Sequence, residues 1–127
     1  MKQPSTSPSH GIVLFAHGSR DPLWAKPLQA IAHAVSQASS QSMVRCAYLE
    51  LMTPNLEDVI AEMAAKGVDH IRIAPMFLGV GKHAREDLPE LVRALQLTHP
   101  TIRFDLKPSI GEHPELIAAI TKILLAS

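Results

Sequence analysis

Apolar residues in this chain alternate between short runs of five to eight residues and longer stretches marked every three or four positions. The short runs are Gly11–Ala16, Met43–Leu49, His70–Phe77 and Ile102–Leu106. They are rich in Val, Ile and Leu. The first and third alternate little, as strands covered on both faces do, whereas the second and fourth alternate more and read as nearer an edge. The longer stretches carry helical stripes: Leu28, Ile31, Ala32 and Val35; Leu56, Val59, Ile60 and Met63; Leu88, Leu91, Val92 and Leu95; then Leu116, Ile117, Ile120, Ile123 and Leu124. Four strand–helix pairs in a row predict an α/β fold, a three-layer sandwich with a four-stranded, mainly parallel sheet.

The punctuation agrees. Asp21-Pro22 and Thr53-Pro54 each read as an N-cap followed by proline at the first helical position. Asp87 and Glu90 have capping-box spacing, and Gly67 suits a helix C-terminus. Pro27 is awkward inside a helix that starts at Pro22, which implies a kink or a later start. Residues 1–10, polar and rich in Ser and Pro, read as a disordered lead-in without an apolar signal stretch, and residues 11–127 read as one domain.

Composition narrows the partners. The 127 residues hold 12 basic and 12 acidic side chains, so no net field draws the chain toward nucleic acid or an anionic membrane surface. No apolar stretch is long enough to span a bilayer, and the expected location is the cytoplasm. The single cysteine, Cys46, excludes an intrachain disulfide and a Cys-rich zinc site, and it lies inside an apolar run as a small core residue would. A sheet of only four strands leaves edges or faces uncovered, a reason to pair with a second copy.

Seven histidines are the unusual item. In an open parallel sheet, ligands bind beyond the carboxyl ends of the strands. That rim collects His17 after the first strand, Glu50 after the second, the loop Leu78 to Glu86 with His83 after the third, and Lys107 to His113 after the fourth. Arg20, Lys82, Arg85 and Lys107 stand around them, and helix N-termini facing the rim favour anions. Imidazoles on a shared rim suit a divalent transition metal or proton transfer. Spacing alone leaves blander readings open: His17 as a turn residue, His83 as a solvated side chain in a glycine loop, Glu50 as a rim carboxylate. His113, ahead of Pro114, reads better as a cap, and His10, His33, His70 and His99 as polar surface.

Several familiar motifs fail. Gly79-Val-Gly-Lys82 lacks the spacing of a phosphate loop, since Met76 and His83 stand where Gly and Ser or Thr belong. His17-Gly-Ser-Arg is not a nucleophile elbow, which leaves Ser19 a weak nucleophile. No His-Glu-x-x-His pair is present.

The segments Ala16-His-Gly-Ser-Arg-Asp-Pro22, Tyr48-Leu-Glu-Leu51 with Pro54, and Pro75-Met-Phe-Leu-Gly-Val-Gly-Lys-His83 followed by Asp87 resemble the class II tetrapyrrole chelatases. The likeness is to the short, CbiX-type form of sirohydrochlorin cobaltochelatase, and it runs from about Gly11 to the C-terminus through Gly111-Glu-His-Pro114. The resemblance implies a chelatase-like half-domain that works as a homodimer enclosing a macrocycle cleft. It implies His17 as metal ligand and proton acceptor and His83 as the second metal ligand. It also implies Glu50, Leu78, Gly79, Val80, Gly81, Lys82 and His83 against the tetrapyrrole.

No permanently bound cofactor is implied: a divalent metal, Co²⁺ first and Fe²⁺ or Ni²⁺ as alternatives, enters as substrate beside sirohydrochlorin, for cobalamin or sirohaem synthesis. Insertion releases two pyrrole protons, so the site needs a base and a transient metal perch, and two imidazoles hold an ion loosely enough to surrender it. The eight substrate carboxylates would engage Arg20, Lys82 and Arg85. Two rival readings use the same residues: a non-catalytic metal or tetrapyrrole carrier, and a regulatory or structural α/β dimer with incidental histidines.

Overall fold

The computed structural model describes residues 8–126. The lead-in expected over residues 1–10 falls mostly outside them, and the first strand already begins at His10. The order of elements is β1 (His10–Ala16), α1 (Lys26–Ala38), β2 (Ser42–Tyr48), α2 (Leu56–Ala65), β3 (His70–Pro75), α3 (Lys82–Thr98), β4 (Arg103–Leu106) and α4 (Pro114–Leu125). Short 3₁₀ turns cover Pro22–Ala25 and Ile110–Glu112. All strand pairs are parallel, in the order β2-β1-β3-β4, so the two more alternating strands are indeed the edges.

This order decides where helices go. The step from β1 to β2 runs one way across the sheet, and the steps from β2 to β3 and β3 to β4 run the other. With right-handed crossovers, α1 must lie on one face and α2 and α3 on the opposite one. The core follows. Val13, Phe15, Met43, Ala47, Ile71 and Ile73 face Leu56, Val59, Ile60 and Met63 of α2 and Leu88 and Leu95 of α3. On the other face Leu14, Ala16, Val44 and Tyr48 pack with Leu28 of α1, and the half-buried Cys46 joins this cluster.

The helix starts differ in part from the sequence pattern. Asp21 does cap a helical turn, accepting from the Leu23 amide, but that turn is 3₁₀ and α1 begins later, with Pro27 tolerated at its N-terminus. Thr53 is not the cap of α2: Asn55 is, its side chain accepting from the Asp58 amide at 2.8 Å. Nor do Asp87 and Glu90 form a capping box. Helix α3 starts five residues before Asp87, with Gly81 as N-cap, and runs on through Pro89. Pro89 is exposed, on the solvent side of the helix. Gly67, at φ +83°, ends α2 as expected.

Candidate functional site at the switch between β1 and β3

Because α1 and α3 leave neighbouring strands toward opposite faces, a crevice opens beyond the carboxyl ends of β1 and β3, at the topological switch point. His17 is the first residue past β1, and strand alternation sends its side chain to the face of Val13 and Phe15, where α3 lies. On that side its ring meets Phe77, with centroids 4.5 Å apart and planes at 48°. His83 does not lie in a glycine loop as its neighbours suggested; it is the second residue of α3. Both imidazoles open onto one cavity of 330 Å³, walled by Phe15, Leu49, Phe77, Leu88 and Leu91. Asp87, one helical turn after His83, lines it too.

Hydrogen bonds hold the loops that carry these groups. The segment after β2 is zipped onto the end of β1 by Leu49 N–H to Ala16 O at 2.9 Å and Glu50 N–H to His17 O at 3.0 Å. Gly18 makes this approach possible: at φ +97°, a Cβ there would lie 1.8 Å from the Glu50 carbonyl oxygen. Leu51, at φ +66°, carries the strain of the same tight segment. On the other side, the Phe77 carbonyl accepts both the hydroxyl of buried Ser109 and the Gly111 N–H at 2.9 Å. The stretch after β4 therefore braces the residue whose ring packs at a tilt against His17.

The other rim residues are spread out. Glu50 is exposed and its backbone abuts His17 and Gly18, but its side chain is not part of the lining of the cavity that His17 and His83 share. Arg20 borders a separate hollow with Leu51 and Met52, and Arg85 and Lys107 border one between α3 and β4. Leu78, Gly79, Gly81 and Lys82 are exposed and Val80 half-buried, with open space where a Cβ on either glycine would sit. His113 caps α4, its Nδ1 accepting from the Glu115 amide at 3.2 Å. His10 and His33 are surface residues, whereas His70 is half-buried, its Nε2 shielded and without a partner among the described residues, unlike the polar surface expected of it.

The donor set on the shared cavity is two imidazoles and one carboxylate. Among the described residues, no three His, Cys, Asp or Glu side chains stand close enough together to hold a metal ion. The walls are apolar, and the exposed Leu49 (52%) and Leu78 (74%) extend them outward. A flat, largely apolar ring with a polar centre fits such a surface. Sequence reasoning gave no site role to Phe77, Leu91 or Asp87, although Phe77 and Asp87 belong to the segments that carry the family resemblance. The signal for Asp87 was its spacing of four from His83, hidden because the two glycines and Pro89 disguise the first turns of α3 as loop.

Comparisons with known proteins point to one family. A sirohydrochlorin cobaltochelatase of Methanosarcina acetivorans is 35% identical over 82 residues, 65% of this chain and 63% of that protein. The chain thus spans under two thirds of that relative's length. A solved putative cobalamin (vitamin B12) biosynthesis CbiX protein from Marinobacter aquaeolei superposes with a TM-score of 0.81 at 30% identity, covering 91% of this chain and 93% of that one. The sirohydrochlorin chelatase SirB from Bacillus subtilis subspecies spizizenii, solved in complex with cobalt, gives 0.77 at 25% identity, covering 91% of this chain but 50% of that one. The CbiX family model matches residues 11–126. Those residues include every strand but the first residue of β1, all four helices and the whole crevice, and the chain belongs to the CbiX family.

Proposed function

We propose that this protein is a chelatase that inserts a divalent metal, Co²⁺ first and Fe²⁺ or Ni²⁺ as alternatives, into sirohydrochlorin. The observation that carries the reading is the pair His17 and His83 on one apolar-walled cavity at the switch point. A divalent ion entering there meets two imidazoles, ligands that suit all three metals, with the Asp87 carboxylate beside them. Two firm ligands leave coordination positions for pyrrole nitrogens, so the ion can pass from protein to macrocycle. Each insertion frees two pyrrole protons; the His17 imidazole takes them in turn as the metal–nitrogen bonds form and passes each to solvent. His83 steadies the metal. Phe77, Leu49 and Leu78 offer apolar contact to the ring, with Glu50 and the stretch through Lys82 at its edge. Arg20, Lys82 and Arg85 receive its carboxylates.

One copy supplies one wall of a macrocycle cleft, and we assign the opposite wall to a second copy, giving a homodimer. The span of this chain over half of the SirB chain supports that assignment. Among the described residues no helix is long and apolar enough to cross a membrane. The cytoplasm remains the expected place of work on the sequence reading, and the product would feed cobalamin or sirohaem synthesis. The test is anaerobic Co²⁺ insertion followed by the absorption change of sirohydrochlorin. The protein should accelerate it well above the rate without protein; stoichiometric binding of metal or macrocycle without turnover would make this a carrier instead.

A further inference from the structure

The opposite end of the sheet carries a second pair of imidazoles. His10 opens β1 and His70 opens β3, and the two are partners in the register of these neighbouring strands, so their side chains leave the same face. Their ring centres lie 5.3 Å apart, with the planes at 57°. Both line a small hollow of 70 Å³, with Ser42 and Arg72 beside them. His17 follows the far end of β1, about 23 Å away at the rise of a strand, so this pair is no part of the crevice.

Polar residues at a strand entry can simply meet water, and His10 is exposed enough to do so. His70 is not. It is half-buried, and its Nε2 is shielded from solvent without a hydrogen-bond partner among the described residues. A nitrogen so placed forfeits its bond to water, which points to a ligand that can take it. A half-turn of the ring about χ2 keeps its outline, buries a carbon where Nε2 stood and turns the nitrogens to the opposite edge. His10 is held from behind, its Nδ1 lying 2.9 Å from the Ser9 hydroxyl. An Nδ1–H that donates to Ser9 leaves Nε2 as a free lone pair, the form in which imidazole binds metals.

The spacing supplies the chemistry. An ion about 2.1 Å from one nitrogen of each ring lies about 3.2 Å from each ring centre, and a tetrahedral angle then sets the centres about 5.2 Å apart. We propose that His10 and His70 hold a divalent ion of tetrahedral preference, Co²⁺ or Zn²⁺, which clips the amino ends of β1 and β3 together. Among the described residues no third His, Cys, Asp or Glu joins them, so water fills the remaining positions. Arg72 on the lining is opposed by Asp105, its register partner on β4, which also holds Lys107 at 3.0 Å. Two protein ligands beside that residual positive charge make a site of micromolar strength, one that fills when metal is plentiful. The inference is independent of the chelatase reading, since it concerns other histidines at the other end of the sheet.

The test is a Co²⁺ titration of the metal-free full chain carrying His17→Ala and His83→Ala, followed by visible absorption. One Co²⁺ per chain should bind at micromolar concentration, with the intense band of a tetrahedral ion, and Zn²⁺ should displace it. Adding His10→Ala or His70→Ala should weaken binding at least about tenfold, with the far-ultraviolet circular dichroism retained. The His10 variant is the safer of the two for folding, because that side chain is exposed. No saturable band, or a band that survives His10→Ala, would overturn the inference. With His17 and His83 in place the chain should take up a second Co²⁺; uptake of only the ion at His10 and His70 would sustain this inference and remove the chelatase reading.

Discussion

Gly18→Ala is the substitution with the sharpest structural consequence. The new methyl carbon would sit 1.8 Å from the Glu50 carbonyl oxygen, a backbone atom with no rotamer to move. Restoring ordinary contact requires a separation of about 1.5 Å more, which the loops after β1 and β2 can reach only by parting. Parting breaks the hydrogen bonds from Leu49 to Ala16 and from Glu50 to His17. Two bonds at about 1 kcal/mol each, with roughly 1–2 kcal/mol for a side chain at positive φ, give a loss of about 3–4 kcal/mol. For a chain of this size that lowers the melting temperature by about 10–15 °C. Since His17 rides on the same backbone, metal insertion should also fall by about 100-fold in the fraction that stays folded. Calorimetry and anaerobic insertion kinetics measure the two effects. Gly79→Ala is the control: its Cβ meets nothing within 4 Å, so stability should change by less than about 1 kcal/mol. A Gly18→Ala protein that melts within a few degrees of the unsubstituted chain and inserts metal at the same rate would refute this account of the rim.

Other consequences can be checked separately. Ser109→Ala removes the hydroxyl on the Phe77 carbonyl and should cost about 1 kcal/mol of stability, with a severalfold lower kcat and an unchanged KM; a raised KM alone would contradict the bracing role. Asp87→Asn should raise the metal concentration needed for half-maximal insertion by about tenfold, measured by Co²⁺ titration at fixed sirohydrochlorin. Burial pushes the Cys46 thiol up, partly offset by its contact with Tyr48, so iodoacetamide should react at least about tenfold more slowly with the folded chain than with the unfolded one. The hydrogen bond from Arg45 holds the Glu62 carboxyl below its usual 4.5, so this group stabilises the fold above that pH and loses the contribution as pH falls through its folded value. Because the pair is more than one third exposed, Glu62→Gln should lower stability by less than about 1 kcal/mol at pH 7, and the difference should shrink as pH falls below the usual carboxylate range in thermal melts.

Strand β1 was legible because its signal is one of composition: Val13, Leu14, Phe15 and Ala16 are all apolar, as a strand buried on both faces must be, whereas β3, read the same way, is buried on one face and leaves Arg72 exposed on the other. Even the edge positions of β2 and β4 showed in their stronger alternation. Helix starts were less legible. Asn55 caps α2 in place of Thr53, and α3 begins at Lys82 because a glycine-rich approach and an exposed Pro89 cost little once Leu88 and Leu95 are packed. That early start carries His83 and Asp87 into the same cavity, which no local pattern revealed. Nor could spacing separate the cavity of His17 from the hollows of Arg20 and Arg85, since it orders residues along the rim and not across it. The apolar stripe of α4 was plain in sequence, but its exposure was not, because periodicity marks an apolar face without saying what lies against it.

The central claim is that His17 takes pyrrole protons beside a metal held with His83. Initial rates of anaerobic Co²⁺ insertion into sirohydrochlorin, measured side by side for the unsubstituted chain, His17→Ala and His83→Ala, test it most directly. His17→Ala should lose at least about 100-fold at saturating metal, while His83→Ala should recover part of its loss as Co²⁺ is raised. Full-rate insertion by His17→Ala, with the same metal dependence as the unsubstituted chain, would contradict it.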